Sequence, residues 1–507
     1  MAPGILQRIG SSFDRVIGVW DPDRALSRYR SRLLLARAYE GASKKDGWNP
    51  KRPSASANTD HLADASSLRA RSRSLVQNVP YIAQGLRALT ANIIGTGIMP
   101  RWIGAEAETY DKLWKEWGPV CDADGRHDIY GMQAAAYRAM QQDGEVLIRL
   151  RPRRVSDGLA VPLQLQLLEI DWLDSTKSMA NGGNQVINGI EYDVLGRVVG
   201  YWLFDQHPGE LVSTRRGRSA SRFVPAENII HLYTAERPGQ GRGFPRISPV
   251  IARVRDLQLY EDAELQRKNL ETRLSVLASG NVSEMANPPS PGEPVDTTAA
   301  KAGELGPLQS GGITQVPQGM SLTVVEPKVA VGYVDYIKYQ LHIIAAGFGV
   351  TYEMMTGDVR ETTFSSARVR LQDFRREAES EQWVVFIPKF CDRVCKAFAD
   401  AAALAGAVKK PNYQVEHSTP KWDYVNPAQE VQADLAEIAG GLSSFSEKLR
   451  RRGYKPDMVF DELRSDIEKL KASGVLDVML QLLKGKPLQE AQEDPPPAPA
   501  PAKKQAA

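Results

Sequence analysis

The chain has 507 residues, 42% of them hydrophobic, which suffices for roughly two to four domains and a sizeable buried core. Its 64 basic residues nearly cancel its 61 acidic ones, for a net charge of +3; a tight general DNA binder carries a clearer basic excess, so any DNA contact must be local. No apolar run is long enough to cross a bilayer, and Ile5 to Trp20 is broken by Arg8, Asp14 and Arg15, so neither a membrane anchor nor a signal peptide is expected.

In chain order, Asp23 to Arg37 is a basic segment carrying Arg24, Arg28, Arg30, Arg32 and Arg37, read as a solvated helix face or a contact between subunits in preference to a helix end that touches nucleic acid. Lys44 to Asn58 is a Pro/Ser/Asn linker. A segment with Arg71 and Arg73 leads into an amphipathic helix with Ile82, Leu86, Leu89 and Ile93 on one face, closed by Gly95 and Gly97. Strands are expected near 145–150, 161–170, 189–194, 198–204 and 228–233. Val161, Leu163, Leu165 and Leu167 alternate with Gln164 and Gln166, as a half-buried strand does. Strict βαβ alternation is missing, so an α+β fold is expected rather than a Rossmann sheet.

A helix is then predicted from Ile247 to about Leu277, with a stripe that includes Val250, Val254, Leu257 and Tyr260. At about 45 Å it would outrun its own domain and must pack on something further. Asn281 to Lys328 is rich in Pro, Gly and Ser, with one strand expected at Ser321 to Val325. A second helix places Val334, Ile337, Leu341, Ile344 and Phe348 on one face and loosens at Gly347 and Gly349. After it comes Thr356-Gly-Asp-Val-Arg-Glu-Thr-Thr-Phe-Ser-Ser366, expected to be a mobile, hydroxyl-rich loop. A long helix follows, capped by Ser365 or Ser366, apolar all round and therefore buried at Trp383 to Ile387, and kinked at Pro388. Tyr413 to His417 reads as a strand. Pro427–Ala439, Ser443–Arg452 and Pro456–Ser473 read as helices, and the Pro/Ala-rich stretch from Asp494 is expected to be disordered.

Catalytic signatures are sparse. No G-x-x-x-x-G-K-[ST] occurs, so the chain is not itself an ATP-driven motor. The histidines form no H-E-x-x-H. Cys121, Cys391 and Cys395 read as reduced packing thiols without companion zinc ligands. Asp143, Glu145, Glu169, Asp171 and Asp174 form the best carboxylate cluster. Such a set could hold two metals in a nuclease, with Asp143 and Glu145 at its centre, although turn and strand-end positions explain it more simply. No catalytic residue, metal ligand or cofactor is assigned.

Several collinear motifs carry a resemblance. Arg71-x-Arg73-x-Leu75-Val76-x-Asn78-x-Pro80 is followed by Asn92-x-x-Gly95-Thr-Gly97-Ile98. Gln141-Gln-Asp143-Gly144-Glu145, Leu168-Glu169-Ile-Asp171 and Gly189-Ile190-Glu191-Tyr192 come next. Then follow Val224-Pro225-Ala226-Glu227, Arg237-Pro238-Gly239-Gln240-x-Arg242-Gly243 and Thr363-Phe364-Ser365-Ser366-Ala367-Arg368. Together, over roughly residues 20 to 480, these resemble the lambda-type portal proteins of tailed bacteriophages.

The resemblance implies an α+β, ring-forming, non-enzymatic subunit of a phage portal, or head-tail connector. A mixed α/β wing would occupy 59–246, stem helices 247–280 and 329–350, and a small α/β clip 281–328. A tunnel loop would span 351–366, a long kinked wing helix 367–408 and a helical crown 409–480. Residues 1–58 would be an N-terminal arm and linker, and 481–507 a tail. The implied ring has twelve copies at one capsid vertex of the virion, assembled in the bacterial cytoplasm. Its implied partners are the terminase large subunit at the clip, the major capsid and scaffold proteins, the head-completion and tail connectors, and double-stranded DNA bound without sequence preference. The resemblance makes Thr356, Asp358, Arg360, Glu361, Thr362, Thr363, Ser365 and Ser366 the loop that touches DNA. Lys338 and Arg368 join them as further lumen contacts. Arg28, Arg32, Arg71 and Arg73 are assigned to subunit or capsid contacts. A different minor capsid or connector protein is the remaining alternative to the nuclease.

Overall fold

The computed structural model describes residues 55–210, 220–272, 276–280, 320–324, 332–360, 362–409, 413–420, 422, 427–452, 454 and 456–474. The N-terminal arm with Arg28 and Arg32, most of 281–328, Glu361 and the Pro/Ala-rich tail lie outside the described residues.

Two helices, α1 (Ala57–Asn78) and α2 (Pro80–Ile93), open the described chain. Pro80 stands where a helix start tolerates it. Ile82, Leu86, Leu89 and Ile93 bury the expected face of α2. Strand β1 (Met99–Ile103) and helix α3 (Ala107–Trp117) follow. Helix α4 (Ile129–Asp143) starts at Asp128, whose carboxylate accepts from Gly131 N, and ends at Gly144 with φ +90°. Strands β2 (Glu145–Pro152), β3 (Leu163–Leu168) and β9 (Ile229–Tyr233) form one antiparallel sheet in the order β3-β2-β9. Between β3 and β9, strands β4 (Met179–Asn181), β5 (Asn184–Ile187), β6 (Ile190–Tyr192), β7 (Val198–Phe204) and β8 (Ser221–Pro225) meander into a five-stranded antiparallel sheet. Every expected strand of this region is present within a few residues, and both sheets are antiparallel, as the missing βαβ alternation predicts.

Helix α5 (Ile251–Thr272) is shorter than expected. Its predicted last residues instead belong to strand β10 (Val276–Gly280), which pairs antiparallel with β11 (Met320–Val324). The run Val276-Leu-Ala-Ser279 suits either structure, and a strand partner some forty residues away in sequence decides it. Among the described side chains of α5 the buried ones lie in its first turns, at Ile251, Val254 and Leu257; Leu259 and Leu265 are exposed.

Helix α6 (Tyr333–Phe348) lies antiparallel to α5. Tyr260 stacks on Tyr333, Arg253 donates to Gln340 at 2.6 Å, and a Cβ on Gly347 would strike Val250. Leu341, Ile344 and Phe348 bury the expected face, while Val334 is exposed. After the short helix α7 (Tyr352–Thr356) comes one long rod. It comprises α8 (Phe364–Ser380), a π-helical segment Glu381–Cys391 and α9 (Asp392–Leu404). Pro388 sits inside the π segment, whose wider turns accommodate the missing donor. Burial here is one-sided, contrary to expectation. Phe386 and Ile387 are buried, but Trp383 is 51% and Val384 68% exposed. Strand β12 (Gln414–Ser418) pairs with β1, and α10 (Pro427–Ala439), α11 (Phe445–Arg451) and α12 (Pro456–Ala472) follow within one or two residues of expectation.

One apolar core joins α2, α3, α4, β2, the first turns of α5, the end of α6 and the long rod. A smaller core lies beneath the five-stranded sheet. Cys121, Cys391 and Cys395 are buried thiols, and burial raises the thiol pKa of each, to about 12 for Cys121.

Candidate functional site

The polar loop is built between two rigid ends. Helix α6 stops at Gly349, which takes φ +78° and donates to Ala345 O. A Cβ there would lie 2.4 Å from Arg246 Nη2, so Arg246 would have to leave its place, and φ +78° would strain any residue with a side chain. Helix α7 begins at Thr351, whose hydroxyl accepts from Met354 N, and ends at Gly357 with φ +74°. Met355 anchors it in the core against α2.

The loop proper is then braced rather than loose. Asp358 N donates to Thr356 Oγ1 at 3.1 Å, and Tyr352 Oη donates to Asp358 Oδ2 at 3.3 Å. Arg360 folds back on the same carboxylate, with Nε and Nη2 each 2.9 Å from an Asp358 oxygen and its backbone N–H donating to Oδ1. The Arg360 hydrogen bonds hold the Asp358 carboxyl well below the usual carboxylate range. Thr362 Oγ1 donates to Glu353 Oε1 at 3.2 Å, and Glu353 also pairs with Arg370. The cap of α8 is Thr363, not Ser365 or Ser366. Its hydroxyl accepts from Ser366 N, while Ser366 Oγ accepts from Thr363 N, a reciprocal capping box. Thr363 fits because a residue entering the helix in extended conformation can reach the amide three positions on.

The structure brings Lys338 to this loop. It lines a small cavity of about 120 Å³ together with His342, Tyr352, Glu353, Asp358, Thr362 and Arg370. Arg368 is half-buried on α8 outside that lining, and Ser365 is exposed. The side chain of Arg360 is 81% exposed. An exposed guanidinium beside hydroxyls is, as general chemistry, a donor set that hydrogen-bonds phosphate oxygens, which carry no base sequence.

The carboxylate cluster has a different character. Asp143 accepts a two-point contact from Arg73, at 2.9 and 2.6 Å, and Arg73 Nη2 also reaches Asp171 at 2.6 Å. Glu145, fully buried, receives Arg242 through Nε at 2.6 Å and Nη2 at 2.7 Å. His231 lies 3.0 Å away from the same carboxylate, His61 3.3 Å and Arg69 3.4 Å. Burial alone would raise the Glu145 carboxyl; Arg242 and the two histidines outweigh it and pull it well below the carboxylate range. Burial lowers His231.

Guanidinium groups thus stand where divalent metals would have to sit, which disfavours the two-metal arrangement. Arg73, expected at a subunit or capsid contact, pairs with Asp143 and Asp171 of its own chain and stays 28% exposed, and Arg71 is exposed. Among the described residues, Glu169, Asp171 and His207 converge within ligand distance of one another, but Arg69 and Arg73 already claim Asp171. The motif ending in Gly243 now has a purpose. It delivers Arg242 to Glu145, and a Cβ on Gly243 would lie 2.1 Å from Gly144 O.

Residues 42–382 match the family model described as phage portal protein, lambda family. The chain belongs to that family. The matched span contains α6, the loop and the first residues of the π segment. Two portal relatives cover most of it. The "Probable portal protein" of Halomonas phage phiHAP-1 is 26% identical over 441 residues, 82% of this chain and 83% of its own length. The "Portal protein" of Escherichia phage N15 is 22% identical over 489 residues, 85% and 88% of the two chains. Among solved structures, a chain from the virion of a native gene transfer agent particle is 15% identical, with a TM-score of 0.43 over 79% of this chain and 99% of that one.

Proposed function

We propose that this portal-family chain is a non-enzymatic subunit that closes head-to-tail into a ring of about a dozen copies at one capsid vertex, through which double-stranded DNA enters and leaves the virion. The observation that carries this reading is the α5–α6 hairpin. Past Leu257, α5 leaves its own core with Leu259 and Leu265 exposed, and α6 exposes Val334, Tyr336 and Tyr339 alongside it. Apolar side chains shown to solvent along a two-helix rod suit burial against the next copy.

In this reading α5 and α6 are the stem. The region around β10 and β11 belongs to the clip, which docks the terminase and later the head-completion and tail proteins. Helices α10, α11 and α12 form the crown inside the capsid. The sheets and the long rod form the wing, facing the major capsid and scaffold proteins. The loop from Thr356 to Ser366 rings the channel.

Native mass spectrometry with negative-stain images of the purified protein tests the proposal. A ring of about a dozen copies with a central hole is expected. A stable monomer or dimer at high concentration would overturn it.

A further inference from the structure

Resting on the reading of Thr356–Ser366 as a DNA-facing loop, we propose that Asp358 is a built-in stand-in for a DNA phosphate: it occupies the Arg360 fork and keeps the channel's grip weak. Arg360 is 81% exposed, yet it does not extend away from the loop. It turns back to make a two-point contact with Asp358, both distances 2.9 Å. A planar guanidinium offers the same pair of parallel N–H donors to a carboxylate and to a phosphate, so the two anions compete for one site.

The competitor is held in place. Only 17% of the Asp358 side chain is exposed. Tyr352 donates to it, the Arg360 amide donates to it, and its own amide is tied to Thr356. Gly357, at φ +74°, sets the turn that aims it. The ion pair also holds the carboxyl deprotonated far below neutral pH, so the competing charge is always present.

An approaching phosphate therefore exchanges one anion for another. The exchange is near balance, whereas an unopposed arginine would gain the whole attraction. DNA that must slide past many copies benefits from contacts that form and break at little net cost. The exchange also blunts the salt response. Affinity falls with salt in proportion to the phosphates a protein newly neutralises, and an arginine already neutralised adds little to that number.

The test uses the assembled full-length protein and a random-sequence DNA duplex, with binding measured across a salt series. Ring integrity is checked for each variant by native mass spectrometry. Asp358→Asn keeps the shape and removes the charge. It should tighten binding by about two- to fivefold for each subunit that touches the duplex, the range of a single exposed ion pair. The salt slope should steepen by up to about one for each engaged subunit. Asp358→Glu should stay near the parent affinity, and the double variant Asp358→Asn/Arg360→Ala should fall to the level of Arg360→Ala alone.

If Arg360→Ala weakens binding but Asp358→Asn does not tighten it, the stand-in idea fails while the DNA-facing loop stands. If Asp358→Glu binds as tightly as Asp358→Asn, loop geometry rather than charge is responsible and the proposal is overturned. If Arg360→Ala does not weaken binding once Asp358 is already Asn, the loop reading itself fails and the proposal goes with it.

Discussion

The Arg246 guanidinium lies 2.8 Å from the Glu381 carboxylate and donates through Nε to Phe348 O at 2.7 Å. One side chain therefore fastens three elements: the entry to α5, the end of α6 and the first turn of the π segment. Gln141, at the end of α4, joins from a fourth side, since Arg246 Nη1 reaches its Oε1 at 3.2 Å. Arg246→Ala would strip the end of α6 of a capping donor and leave Glu381 partly buried without its cation. A loss of about 2–4 kcal/mol in unfolding free energy is expected, read from denaturant titration. Arg246→Lys should recover only part of it, because an ammonium has no planar fork for two partners. Full recovery by lysine would mean that charge alone matters and that the three-way fastening does not.

Acid should unfold this chain through the Glu145 cluster. Glu145 has a folded pKa held below its unfolded value, so its stabilisation is present above about pH 4.3 and is lost as pH falls through the folded value. His231 is also lowered, which makes the unfolded chain the better proton acceptor below about pH 6.5. Both signs agree: stability rises with pH from the acid side and flattens near neutrality. Replacing His231 by Gln should remove the part of the slope that develops as pH falls below about 6.5. An unchanged slope in that window would assign it to other groups.

The portions of the fold set by local pattern were legible in the sequence. Alternation along Leu163, Leu165 and Leu167, turn chemistry around Gly95 and Gly97, and the periodicity of α10 to α12 each act within a few residues. What depended on distant partners was not legible. The Arg73 contact to Asp143 spans 70 residues of sequence and the Arg242 contact to Glu145 spans 97, so the carboxylates looked like a candidate metal site until their arginines were in place. Strand β10 was lost to a longer predicted helix for the same reason. Helix α3 is a different kind of omission, because Tyr110, Trp114 and Trp117 already mark one helical face. In the loop, the polar composition was readable, but the bracing by Tyr352, Glu353 and Thr363 was not.

Gly243 should tolerate no side chain. The added Cβ of Gly243→Ala would meet the Gly144 carbonyl oxygen at 2.1 Å, and Gly144 cannot yield easily. It holds φ +90°, with Phe244 C 2.4 Å from its own Cβ position. Two backbone segments would have to part, carrying Arg242 away from Glu145. A cost above that of an ordinary Gly→Ala change, on the order of 3 kcal/mol or more, is expected in the same titration. Gly239→Ala is the control, since no heavy atom lies within 4 Å of a Cβ there and only the strain of φ +78° is added. A loss at Gly243 no larger than at Gly239 would show that the close approach is relieved cheaply.

Thr363 decides how firmly the loop is joined to the long rod. Its hydroxyl is the side-chain acceptor at the first turn of α8, and Ser366 answers by accepting from the Thr363 amide. Thr363→Ala removes one half of that exchange and leaves the Ser366 amide to water, at a cost of about 1 kcal/mol. The loss should stay local, because among the described side chains the buried apolar ones of the rod begin further on, at Phe374 and Ala378. Amide hydrogen exchange should therefore quicken about fivefold in the first turn of α8, the equivalent of that free energy if opening remains local, while amides around Phe386 keep their protection. Thr363→Ser should exchange like the parent. If Thr363→Ala instead speeds exchange through the whole rod, the cap is holding the long helix as one cooperative unit, and the loop and the π segment open together.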